Sequence, residues 1–141
     1  MPNKPLPYNP RPKEVLRCDY SGLVPPEMEK VRWAVVVTPR HLNTGSLCTV
    51  IPLSTTQPRS PQPWHVRLDN DPAPNGTPGA IVWAKCDMVM RVSYQRLSAY
   101  WDGKANGRRN YVNLFVSDDE YKRIQKGVAY ALGLGALAGH L

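Results

Sequence analysis

The sequence predicts a mainly β protein, a small β-barrel with one late helix packed against it. Three observations lead there. Short runs of strand length, either apolar or alternating, recur between Glu14 and Val116. Turn-rich segments separate them, in keeping with 15 Pro and 10 Gly in 141 residues, a composition that argues against a helical bundle. Only the segment after Ser117 carries a helical period. A chain of this length forms one domain and buries a core without staples.

Met1–Pro12 holds five Pro and reads as an extended arm that is not part of the core. Glu14–Tyr20 alternates Leu16, Cys18 and Tyr20 with Val15, Arg17 and Asp19, so it is a strand. Ser21–Lys30, with Gly22 and the Pro25-Pro26 pair, is a loop over one side of the sheet. Arg32–Thr38 is a continuous apolar strand buried on both faces, and Leu47–Leu53 is the next strand after a turn with Asn43 and Gly45. Gln57–Pro63 is a connector, and Trp64–Leu68 alternates as a half-buried strand. Asp69–Gly79, with three Pro and two Gly, must be a long loop. Ala80–Lys85 and Met88–Tyr94 are further strands, Ala99–Gly107 a polar loop, and Arg109–Val116 a short strand.

The helix has the clearest local signature. Ser117 and Glu120 fit a capping box, and Asp118, Asp119 and Glu120 suit the positive helix N-terminus. Tyr121, Ile124, Val128 and Leu132 share the expected packing face, with Gly133 as the C-cap. Domain 13–134 is thus flanked by the arm, 1–12, and a flexible tail, 135–141.

A net charge of +7 in a small domain suggests a polyanionic partner, most often nucleic acid. Hydrophobic residues make up 42% of the chain, which excludes wholesale disorder. Cys18, Cys48 and Cys86 are far apart with no CxxC, so no zinc site is expected. Their odd number, without a signal-peptide pattern, points to a reducing cytosol. Gly127–Leu141 is too short and too Gly-broken to span a bilayer, so no membrane association is expected.

The chemistry is expected around the two central strands. If Arg32–Thr38 and Leu47–Leu53 pair antiparallel, Arg32 comes beside Ser54, Thr55 and Thr56. A guanidinium next to hydroxyl donors makes a phosphate or oxyanion site. Taken alone, Arg32 is a solvated strand end, Glu27 a surface carboxylate, and Ser54-Thr55-Thr56 turn chemistry.

Five pieces of the chain, in order, resemble the MazF/PemK family, the mRNA endonucleases of toxin–antitoxin pairs. They are KEVLRCDY at Lys13–Tyr20, Glu27 five residues before Arg32, AVVVTPR, VIPLSTT, and WAKCDMVMRVSYQRL at Trp83–Leu97. The similarity runs from Pro10 to Leu134. Trp33 stands where the family usually has Pro, and Ser54 where it usually has Thr.

The resemblance implies an SH3-like barrel that dimerises and cuts single-stranded RNA without metal or cofactor. It is then neutralised by an acidic antitoxin in the cytoplasm. It further implies Arg32 as the phosphate ligand, Glu27 as the base, and Ser54 or Thr55 as the hydroxyl donor. Arg40, His41, Thr56 and Arg91 are expected to contact RNA, and Asp87 to orient the Arg or a loop. Trp33 and Ser54 leave open a binding module that has lost cleavage. A gyrase-directed toxin of the related CcdB fold and a plain SH3-like interaction domain are the other readings.

Overall fold

The computed structural model describes residues 4–74, 76, 77 and 79–141; Met1–Asn3 of the arm and Asn75 and Pro78 of the long loop lie outside them. Ten strands and one α-helix follow in the order β1 (Glu14–Asp19), β2 (Val31–Val36), β3 (Leu47–Ser54), β4 (His65–Arg67), β5 (Trp83–Lys85), β6 (Met90–Ser93), β7 (Leu97–Ser98), β8 (Trp101–Ala105), β9 (Arg108–Tyr111), β10 (Leu114–Phe115) and α1 (Asp118–Ala131). Eight strands form one curled antiparallel sheet in the order β10-β1-β2-β3-β5-β4. β6 also pairs with β3, and β7 with β1. The sheet curls because β1 and β3 change partner along their length: β1 bonds β10 at Glu14 and Val15 and β7 at Arg17 and Cys18. β3 bonds β6 from Leu47 to Val50 and β5 at Leu53 and Ser54.

The central strands are buried on both faces, as their apolar runs predict. Val15, Val35, Ile51 and Leu53 join Val66, Ala84 and Ile124 of α1 in one core cluster. Leu16, Cys18, Ala34, Val36, Cys48 and Val50 form the other. The three cysteines are fully buried and reduced, and desolvation pushes the thiols of Cys18, Cys48 and Cys86 up to about 11, 12 and 12.

α1 begins in the predicted capping box. Ser117 Oγ accepts from Glu120 N at 3.0 Å, and Ser117 N donates to Glu120 Oε1 at 2.9 Å. Gly133 ends it at φ 77°. The helix crosses the sheet at Gly127, where an added Cβ would lie 2.7 Å from Cys86 Sγ and 3.0 Å from Val66 Cγ2. On an exposed helix Gly→Ala gains about 0.5–1 kcal/mol. Here the methyl must push α1 off the sheet. Gly127→Ala is therefore expected to destabilise by about 1–3 kcal/mol, read as a lower urea midpoint. A raised midpoint would show that the contact can relax.

Several expectations are corrected. The Pro-rich arm lies on the sheet: Leu6 is 5% exposed within the second cluster, and its N–H donates to Tyr94 O at 2.9 Å. Tyr8 donates its hydroxyl proton to the buried Glu14 carboxylate, so the arm also satisfies a buried charge. Ala99–Gly107 is not a loop but most of a two-stranded hairpin, β8–β9, turning at Asn106 and Gly107 with φ 53° and 75°. These are the left-handed values of a two-residue hairpin turn. Leu132, expected on the packing face, is 61% exposed at the C-cap of α1, whereas Val128 packs on the first cluster. Gly135–His140, expected as a tail, forms a 3-10 helix with Ala138 buried.

Candidate active site

The strand register builds the site. β2 and β3 pair antiparallel through Ala34↔Pro52, Val35↔Ile51 and Val36↔Val50. Continued by two residues, that register sets Arg32 opposite Ser54. Arg32 is also opposite Cys18 on β1, and Ser54 is opposite Trp83 on β5. Arg32, Ser54 and Trp83 therefore form one row across three strands. Paired residues project to the same face.

A cavity of about 160 Å³ opens at this row, lined by Arg17, Arg32, Trp33, Ser54, Thr55 and Asp71 among others. Ser54 is buried and its Oγ accepts the Thr56 N–H at 3.1 Å. That bond uses an oxygen lone pair and leaves the hydroxyl proton to donate into the cavity. Arg32 is half-buried, and its Nε is a buried donor with no acceptor among the described residues. Trp83 Nε1 is another. Among those residues no carboxylate forms an ion pair with Arg32. A partly desolvated guanidinium without an internal counter-ion is arranged for an external anion.

Two lining residues were not singled out from sequence. Arg17 is exposed on β1, and its guanidinium carbon lies 5.7 Å from the Trp33 ring centroid. The Trp33 ring meets Tyr100 edge-on at 6.4 Å. Trp33, the residue that departs from the family pattern, thus supports a second arginine at the cavity.

Asp71 reaches the cavity from the long loop. Its Oδ1 accepts the Ala73 N–H at 2.9 Å, and Gly76 folds so close that a Cβ there would lie 2.8 Å from Asp71 Cγ. The root of the loop is tied to α1. Asp69 N donates to Glu120 Oε2 at 2.9 Å, and Arg123 Nη2 bonds Asp69 Oδ2 at 2.8 Å. No local pattern sets Asp71 apart from Asp69. The tertiary fold alone selects it.

Of the residues expected at the site, Arg32, Ser54 and Thr55 come together, with Thr56 exposed one position on. Glu27 is exposed in the loop between β1 and β2 and does not line the cavity. Arg40 and His41 occupy the β2–β3 turn, at the other end of β2 from Arg32. Arg40 Nε donates to Asn9 O at 3.2 Å, which ties the turn to the arm. Arg91 on β6 donates to Leu42 O at 2.9 Å in the same turn, so the fold uses it as a latch. Asp87 is exposed in the 3-10 turn after β5.

Among the described residues no three His, Cys, Asp or Glu side chains cluster as metal ligands, and no helix is long and apolar enough to cross a membrane.

The family model described as PemK-like, MazF-like toxin of type II toxin–antitoxin systems matches residues 11–132. The uncharacterized protein YifN of Escherichia coli (strain K12) is 30% identical over 141 residues, covering 86% of this chain and 90% of that protein. Among solved structures, MazF (Form-I) from Deinococcus radiodurans superposes with a TM-score of 0.64 at 15% identity, covering 89% of this chain and 98% of that one. An endoribonuclease from mycobacterial species in complex with its cognate antitoxin gives 0.59 at 19% identity, covering 89% and 96%. At these identities the two structures establish the shared fold: a mainly β, curled sheet with one C-terminal helix.

Proposed function

The chain belongs to the PemK-like, MazF-like toxin family of type II toxin–antitoxin systems, and from that premise we propose that it is a metal-independent, sequence-selective endoribonuclease. It cuts single-stranded RNA and is neutralised by a cognate antitoxin. The observation that carries this reading is the Arg32 guanidinium, which makes no ion pair among the described residues, beside Ser54 and Thr55 in one cavity.

The RNA supplies its own nucleophile. A base takes the 2′-hydroxyl proton, the 2′-oxygen bonds to phosphorus, and the bond to the 5′-oxygen breaks. The leaving oxygen takes a proton from water, giving a 2′,3′-cyclic phosphate and a 5′-hydroxyl end. Arg32 binds two phosphate oxygens with its fork of donors, and Ser54 or Thr55 donates to the same group as charge builds. Arg32 is too weak an acid to protonate the leaving group, so its part is electrostatic. The carboxylate lining the cavity is Asp71, which we assign as the base. Glu27 would have to arrive by closure of its loop.

Mixed-sequence RNA incubated with the pure protein in EDTA should be cut, with cyclic phosphate ends at a repeated short motif. Binding without cleavage would favour the inactive-module reading, and cleavage only after added magnesium would overturn the mechanism. A cytoplasmic location follows from an mRNA substrate. The same reading makes the protein a homodimer that binds an acidic antitoxin segment across its basic face. Light scattering should give twice the chain mass, rising when the antitoxin is added. A monomer whose mass and RNA cleavage the antitoxin leaves unaltered would refute both.

A further inference from the structure

We propose that the β8–β9 hairpin and residues 4–8 of the arm form a base-stacking subsite for single-stranded RNA, reached from the Arg32 cavity along a basic groove. The inference rests on the endoribonuclease reading for its ligand, but its evidence lies elsewhere in the molecule.

Three cavities run on from one another. The first is the Arg32 cavity. The second, about 440 Å³, shares Arg17 and Val31 with it and is also lined by Lys4, Arg96 and Arg109, with Asp19 as the one carboxylate among its lining residues. That carboxylate already accepts the Ser21 N–H at 2.9 Å. The third, about 590 Å³, shares Lys4, Arg17 and Arg109 with the second and adds Tyr8, Tyr100, Trp101 and Tyr111. A cationic track thus leads from the candidate catalytic row to a group of four aromatic rings.

Tyr8 packs on the second core cluster and Tyr100 against Trp33, but Trp101 and Tyr111 are not explained by the core. β8 and β9 pair only with each other, and every residue in both strands is exposed. Trp101 and Tyr111 are direct cross-strand partners, 40% and 52% exposed. Arg109 lies 4.8 Å from the Trp101 centroid, presenting a cation beside an aromatic face. Interleaved cations and exposed rings suit unpaired nucleic acid, in which the phosphates follow the charges and the bases stack on the rings. Because every base has a π-face, the hairpin adds affinity and holds the strand in place while the Arg32 cavity acts on the scissile step.

Binding of the full-length protein is measured by fluorescence anisotropy with two probes of about 12 units. One is a labelled 2′-O-methyl oligouridine, which cannot be cut; the other is a base-free sugar–phosphate oligomer of equal charge. Trp101→Ala and, separately, Tyr111→Ala should weaken oligouridine about 10- to 100-fold. Neither should alter the base-free oligomer. Arg109→Ala should weaken both and lower the salt slope by about 0.7. Circular dichroism should match wild type, because the substituted side chains are exposed. Three results would overturn the subsite: equal loss for both probes in Trp101→Ala, unchanged oligouridine affinity in both aromatic variants, or a Trp101→Ala effect on dimer mass alone. Base-dependent binding to a protein that never cuts RNA would instead refute the catalytic reading and leave the subsite standing.

Discussion

Arg32→Ala should lower RNA cleavage by about 10²–10³, the loss expected for one preorganised donor aimed at developing charge, with no change in circular dichroism. The fold should tolerate it because Arg32 is the second residue of β2, makes no ion pair among the described residues, and has no acceptor for Nε among them. Removing the side chain strands no buried carboxylate, and it relieves an unsatisfied buried donor. Lysine should rescue poorly, since one ammonium cannot reproduce a two-pronged contact with phosphate. Ser54→Ala and Thr55→Ala should each cost less. Ser54→Ala also frees the Thr56 N–H from its acceptor, so loosening of the turn after β3 would accompany its effect. Near-normal cleavage by Arg32→Ala would remove the site altogether.

What could be read in advance follows from which forces act locally. The adjacency of Arg32 and Ser54 was legible because two long apolar runs flank a turn with Gly45 at φ 64° and Ser46 at φ 57°, which fixes both partner and direction. The start of α1 was legible because a capping box is a contact between residues three apart. The hairpin was hidden for the opposite reason. Its side chains are exposed on both faces, so no period-2 alternation marks it, although Asn106-Gly107 is a strong turn signal. The docking of the arm is not legible in its sequence, because its Pro content speaks of backbone stiffness and says nothing of where Leu6 docks. A spacing of five positions from Glu27 to Arg32 does not decide which side of the sheet a loop covers. Asp71 lies beyond the reach of pattern altogether, as its place in the lining of the Arg32 cavity goes with tertiary contacts of its loop: the Ala73 bond, the Gly76 approach, and the bonds of Asp69 to Glu120 and Arg123.

Asp71→Asn should reduce single-turnover cleavage by about 10²–10⁴, the range for loss of a positioned general base. The substitution keeps shape, and the amide oxygen can still accept the Ala73 N–H, so the loop and the cavity should persist. It removes only the capacity to take a proton. A structural carboxylate and a catalytic one therefore separate when rate is compared with affinity. If Asp71 is the base, the single-turnover rate falls in Asp71→Asn while Kd for uncleavable RNA changes little. If it merely shapes the loop, Kd weakens together with the rate. Glu27→Gln is the matched comparison. Glu27 is exposed and outside the cavity, so its neutralisation should cost several-fold at most. The reverse outcome, an inactive Glu27→Gln beside an active Asp71→Asn, would transfer the base to Glu27. It would also require the loop between β1 and β2 to fold over the Arg32 row when RNA binds, because only that movement carries the Glu27 carboxylate to a 2′-hydroxyl held there.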